Sequence, residues 1–220
     1  MTKQARNILT LAAYVGFQLV TQFGVAIIAI NRPPLSQMYS DYAVLIIVSI
    51  LLLDGLLIFF QKPTKESIQQ TVKNWKSLLK KIGGGLLLAA GFILVEGLIS
   101  LISAPQANSI TQNAATTIHH QFWFILIPLL LLPIAEEIVF RKAAVSVLQD
   151  ELHLNLLVAS GLSVCGFAFA HYLIAGQFLI YLIMGLYMQL IYNKWRSLPL
   201  NILTHTAINT WPLIILLLSH

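Results

Sequence analysis

Glu136 and Glu137 stand side by side, and Arg141 follows four residues after the second, in an otherwise apolar run Leu-Pro-Ile-Ala-Glu-Glu-Ile-Val-Phe-Arg. Residues four apart share a helix face, so Glu137 and Arg141 can pair. Glu136 points about 100° away and lacks that partner, so neighbouring helices must set its surroundings. One carboxylate held ionised and rigid, beside a second left to exchange a proton, suits a general base. The plainer account of the same residues is a structural ion pair, with Arg141 favourably placed at a helix C-terminus. His171 closes the run Phe167-Ala-Phe-Ala-His171. Alone it fits a satisfied core histidine better than a ligand or a catalyst. His205 and Asn209 are again four apart and share a face. Both can donate hydrogen bonds, so together they could hold a developing oxyanion. The plainer account is a hydrogen bond between packed membrane helices, worth about 0.6 kcal/mol.

The elements that carry these groups are membrane spans. The chain has 220 residues, 58% hydrophobic and only 10% charged, with a mean hydropathy of +0.81. A soluble domain carries about 25% charged residues, so this one lacks the polar surface to coat a globule. Disorder is excluded by the apolar content, and a disulfide scaffold by a single cysteine, Cys165, which reads as a packing residue. Seven apolar stretches approach or exceed the length needed to cross a bilayer core of about 30 Å. They are Ile8–Ile30, Tyr42–Phe60, Ile82–Ser103, Phe122–Arg141, Leu154–Ala175, Phe178–Tyr192 and Leu198–Ser219. Backbone groups cannot stay unpaired in lipid, so these are helices. The expected fold class is all-α, a polytopic transmembrane bundle of about seven spans forming one membrane domain. Residues 1–121 supply three variable N-terminal spans and an amphipathic helix, and 122–219 a catalytic four-helix core.

Charge orients the bundle. With the N-terminus inside, twelve of the 13 basic residues fall on inner segments and only Arg32 lies outside, which predicts N-terminus in and C-terminus out. Pro33–Pro34 and the long loop Ala104–Gln121 are outer connections. The lysine-rich stretch Gln61–Lys81 repeats Ile68, Val72, Trp75 and Leu79 at helical spacing, which predicts a cytoplasmic amphipathic helix lying on the lipid surface. The net charge of +5 is met by anionic lipid and requires no nucleic-acid partner.

Ionisable groups within spans cost roughly 2.5–3.5 kcal/mol each on insertion scales and face partners or water-filled cavities. Four of the eight acids, Asp54, Glu96, Glu136 and Glu137, lie in spans, as do His171 and His205. The other histidines, His119, His120, His153 and His220, lie in loops or at the terminus. Acids, an arginine, two histidines and an asparagine thus occur on the fourth, fifth and seventh spans, and convergence on one cavity would satisfy them together. If Arg141 marks the inner boundary, however, Glu136 lies about 7 Å deep, whereas His171 sits near the outer turn at Gly176. Some offset between these spans is therefore expected.

Glu136-Glu137-Ile-Val-Phe-Arg141, Phe167-Ala-Phe-Ala-His171 and His205-Thr-Ala-Ile-Asn209 resemble, in order, the EExxxR, FxxxH and HxxxN motifs of the CPBP family of intramembrane proteases. That family includes CAAX prenyl endopeptidases, abortive-infection (Abi) proteins and bacteriocin processing or self-immunity proteins. The resemblance covers about Phe122–Trp211. It implies an endopeptidase opening toward the cytosol. Glu136 would activate a water with the aid of His171, His205 and Asn209 would stabilise the tetrahedral intermediate, and Glu137 with Arg141 would be the supporting pair. It implies a multi-pass protein of a bacterial cell membrane and a peptide or protein substrate, lipidated or bacteriocin-related; the residues themselves favour a metal-free glutamate mechanism with no cofactor. Other readings use the same residues. Glu136, His171 and His205 could hold zinc, although no compact HExxH spacing is present. A non-catalytic immunity protein, or a small transporter, would need the polar groups for binding rather than hydrolysis. Asp54 and Glu96 have no role in any of these readings.

Overall fold

The structure, a computed structural model, describes residues 1–31, 35–61, 75–102, 130–175 and 178–218. These residues form seven helices and no strand. We number them α1 (Lys3–Asn31), α2 (Leu35–Gln61), α3 (Trp75–Ile102), α4, α5 (Leu156–Ala175), α6 (Phe178–Trp195) and α7 (Leu198–Leu218). Helix α4 is composite. An α-helical segment, Leu132–Glu136, passes into a π-helical one, Glu137–Ala144, and then into a last α-helical one, Val145–Asp150. Pro133 sits in the first turn of α4, where its missing N–H has no bond to break.

Helix α1 packs against α2, α3 against α7, and α5 against α6, while α1, α5 and α7 all touch the π-helical segment. Side-chain bonds fix which ends meet. Gln61 Nε2, at the end of α2, donates to Asn7 Oδ1 (3.2 Å) and Thr10 Oγ1 (2.9 Å) near the start of α1. Lys3 Nζ meets Asp150 Oδ2 at 2.8 Å, and Gln4 bonds to Glu151, so the start of α1 also lies beside the end of α4.

The side-chain distribution is inverted relative to a soluble protein. Large apolar residues face outward on most helices, among them Leu157 at 82% exposure, Leu87 at 75% and Leu94 at 70%. Arg141, Glu137, Asn201, Thr204 and His205 are buried. These polar groups lie among a buried apolar core that includes Ile50, Leu57, Phe167 and Met188, and an exterior this apolar is the kind that lipid covers. Among the described residues, two helical windows, Val44–Gln61 and Leu79–Leu98, are long and apolar enough to cross a membrane.

Several expectations shift. Trp75–Lys81 is continuous with α3 and is not part of a separate surface helix. The rest of the proposed amphipathic stretch, residues 62–74, lies outside the described residues, as do Pro33–Pro34, the outer loop Ala104–Gln121 and the start of the fourth span. The fourth helix does not end at Arg141. It continues to Asp150 because Arg141 is turned inward against Glu137, and Ala143 and Val145 beyond it are buried apolar residues. Cys165 is exposed rather than packed.

Candidate active site

The extra length of α4 sets the level of the site. Glu136 lies 14 residues before α4 ends at Asp150, and His171 lies 15 residues after α5 begins at Leu156. The two helices form a hairpin, so both side chains stand at the same height above its turn. Glu136 Oε1 is 3.5 Å from His171 Nε2. Its other oxygen, Oε2, is 3.6 Å from His205 Nε2, contributed by α7. Glu136 and His205 are buried, at 5% and 2% exposure.

The π-helical turn changes the relation of the two glutamates. Single π turns inside α-helices are rare and occur frequently at functional sites. Here the segment begins at Glu137, and both carboxylates face the interior, where they meet the same imidazole. His205 Nδ1 lies 2.9 Å from Glu137 Oε1, while its Nε2 faces Glu136. The surroundings of Glu136 are set by α5 and α7, as expected for a residue off the Glu137–Arg141 face, and the two glutamates share His205 between them.

Glu137 is completely enclosed and well supplied with donors. Arg141 Nε donates to Oε2 at 3.2 Å, and Asn201 Nδ2 donates to the same oxygen at 3.0 Å. These donors surround a carboxylate, not a carboxylic acid. Hence His205 carries its proton on Nδ1 and donates it to Oε1. Arg141 lies with its guanidinium 4.9 Å from the Phe167 ring centre, and its Nη1 is 3.5 Å from Gln189 Oε1. A buried ion pair with such partners holds geometry more than it adds stability.

His171 is fixed in the same manner. Its Nδ1 is 2.9 Å from the Phe167 carbonyl oxygen, which can only accept, so the proton is on Nδ1. Its ring stacks on Tyr181 of α6 at 4.2 Å and 26°. Both histidines thus spend Nδ1 on an acceptor and aim Nε2 at Glu136. The distances of 3.5 and 3.6 Å exceed those of a direct hydrogen bond, and such gaps are where a bridging water is sought. Among the described residues, no group of three or more His, Cys, Asp or Glu side chains is arranged to hold a metal ion.

Asn209 lies one turn after His205 on α7 and is half-buried. His153 is exposed in the α4–α5 turn with φ of 53°, away from the cluster. His119, His120 and His220 lie outside the described residues. Asp54 is buried on α2, Glu96 is half-buried on α3, and neither forms an ion pair with the cluster.

Several site residues carry no sequence motif. Asn201 precedes His205 by four residues, and that spacing is its one available signal. Tyr181 and Gln189 lie on α6, which has no motif residue. Tyr14, on α1, is buried and meets Phe140 edge-on at 5.4 Å and 80°. Phe140 in turn meets Phe167 at 5.4 Å and 90°. An aromatic chain therefore runs from the first helix to the residue whose carbonyl fixes His171.

Residues 118–211 match the family model of type II CAAX prenyl endopeptidase Rce1-like proteins. The match spans Glu136, Glu137, Arg141, His171, His205 and Asn209 and covers less than half of the chain. No curated protein and no solved structure gives a match.

Proposed function

We propose that the chain is an intramembrane endopeptidase of the kind its match to the Rce1-like family model describes, and that it works without a metal, Glu136 activating the attacking water. A water beside Glu136 and His171 Nε2 gives a proton to the Glu136 carboxylate, and the resulting hydroxide attacks the scissile carbonyl carbon. The carbonyl oxygen becomes an oxyanion. Asn209 donates an N–H to it, and so does the Nε2–H of His205, that ring having taken a second proton from bulk solvent before the attack and giving none up during it. The Glu137 carboxylate stabilises this imidazolium through the bond at Nδ1. Collapse of the tetrahedral intermediate breaks the C–N bond, and Glu136 returns its proton to the leaving amine.

The observation that carries this reading is a single carboxylate faced by Nε2 atoms of two histidines on different helices, both with Nδ1 already committed. Helix ends support a shared cytosolic side for the start of α1 and the ends of α2 and α4. The start of α1 adjoins the ends of α2 and α4, and the start of α3 adjoins the start of α7 through Gly84, 3.8 Å from Leu200 when given a Cβ. Lys3, Arg6, Lys80, Lys81, Lys194 and Arg196 gather at these ends, as expected for a seven-span protein with its N-terminus inside.

The test is cleavage of a farnesylated peptide ending in Cys-aliphatic-aliphatic-X by the full chain in lipid, with an unprenylated leader peptide alongside. Replacing Glu136 by Gln keeps the shape and removes the base, so cleavage should fall by about 10²–10⁴-fold. Undiminished cleavage by that variant would sink the proposal.

A further inference from the structure

We propose that Asn201 is a positioning residue for this reaction, acting through Glu137 to set the orientation and charge of His205; the inference rests on the mechanism above. Asn201 is fully buried near the start of α7, one helical turn before His205. Its Nδ2 donates to Glu137 Oε2 at 3.0 Å and to the Met188 carbonyl oxygen of α6 at 2.9 Å. Both partners only accept, so the amide can sit in one orientation alone. One side chain thereby ties α7 to α6 and to the π-helical turn of α4.

The consequence passes through the carboxylate. Glu137 has two oxygens with different tasks: Oε2 takes Arg141 and Asn201, and Oε1 takes His205 Nδ1. Arg141 approaches Oε2 through Nε, and among the described residues its Nη2 has no hydrogen-bond partner. The arginine therefore holds Oε2 from one side only. Asn201 supplies the second point, which directs Oε1 at the imidazole. Asn201 Oδ1 likewise has no hydrogen-bond partner among the described residues, so the side chain is held through its Nδ2.

Two substitutions separate this role from packing. Asn201→Asp preserves shape but puts an acceptor against the Glu137 carboxylate. Asn201→Leu preserves approximate size and removes the donor without adding charge. Ionisable groups facing the position are Glu137 and Arg141 from α4, His205 from α7, and Tyr192 of α6, which feels the Glu137 charge. With the farnesylated peptide, the Leu variant should lose about 10–100-fold in kcat at little change in KM, in line with other outer-shell partners. The Asp variant should be worse at neutral pH. It should recover relative to the wild type at the same acidic pH, where the introduced carboxyl is protonated and can again donate.

A packing role gives the opposite order, with Asp near wild type and Leu impaired, and that order would overturn the proposal. If the Asp variant does not insert, the Leu variant decides: a change confined to KM, or none, overturns it. Glu136→Gln is run in parallel. Cleavage surviving in that variant defeats the mechanism itself, whereas cleavage lost there but intact in both Asn201 variants defeats only the present inference.

Discussion

The Arg141–Glu137 pair allows stability and catalysis to be separated by a double-mutant cycle. Both side chains have no solvent exposure, and their contact is 3.2 Å. Removing one member of a buried pair costs about 3–5 kcal/mol, because the other is left uncompensated. In Arg141→Met the stem volume is kept, and Glu137 retains Asn201 and His205 as donors. The lower end, about 3 kcal/mol, is therefore expected. At about 2–4 °C per kcal/mol for a chain of this size, the unfolding midpoint should fall by about 6–12 °C. Glu137→Gln should cost at least as much, since the guanidinium would lose its counter-charge and keep neutral partners, the new amide oxygen and Gln189 at 3.5 Å, beside the Phe167 ring. The double variant buries no charge and should return to within about 1 kcal/mol of the wild type. Cleavage should stay depressed in all three, because the double variant lacks the carboxylate that supports protonated His205. Thermal unfolding in detergent, followed by tryptophan fluorescence, reads the first quantity, and cleavage of the farnesylated peptide reads the second. Additive losses in the double variant would refute the pairing as described, and restored cleavage would refute the role given to Glu137.

Two further outcomes follow from the same coordinates. A Cβ at Gly85 would sit 3.3 Å from Leu203 Cβ and Thr204 Oγ1 on α7, one residue from His205, so Gly85→Leu should cut cleavage at least about tenfold with membrane insertion retained. Gly85→Ala, needing a shift of a few tenths of an ångström, should cost less. A zinc chelator should leave the rate of the purified protein unchanged; loss on chelation with recovery on adding zinc would replace the general-base water by a metal-bound one.

The helices are legible in the sequence because lipid imposes a strong rule: apolar runs of spanning length must be helical. The fifth, sixth and seventh stretches read from hydropathy match helix limits closely, the first three helices begin several residues earlier than their apolar runs, and the fourth fails for a specific reason. The charge of Arg141 reads as a membrane boundary, yet the residue belongs to the core. Charge patterning reports where a cation can meet water and is blind to one whose partner lies a turn away. The same blindness produces the apparent mismatch in depth between Glu136 and His171, which vanishes once α4 is extended to Asp150. The clustering of motif residues can be inferred from the cost of burying each alone. Their linkage cannot, because it depends on Asn201, Tyr181 and Gln189, ordinary residues whose importance comes from contacts between helices.

The π-helical turn explains why adjacent glutamates can do different work. In a regular α-helix, Glu137 would share a face with Arg141 and Glu136 would be directed elsewhere. With the turn widened at Glu137, both carboxylates meet the two nitrogens of one imidazole, and Arg141 still reaches back to Glu137. Glu137 becomes wholly enclosed by donors, so its charge is static. Glu136, by contrast, faces two Nε2 atoms, which donate nothing when the rings are neutral. The division of labour comes from helix geometry acting on two identical side chains. It also assigns a task to α1, outside the matched domain: Tyr14 packs on Phe140 within the widened turn, and Phe140 in turn meets Phe167, so the first helix braces the segment that begins at Glu137.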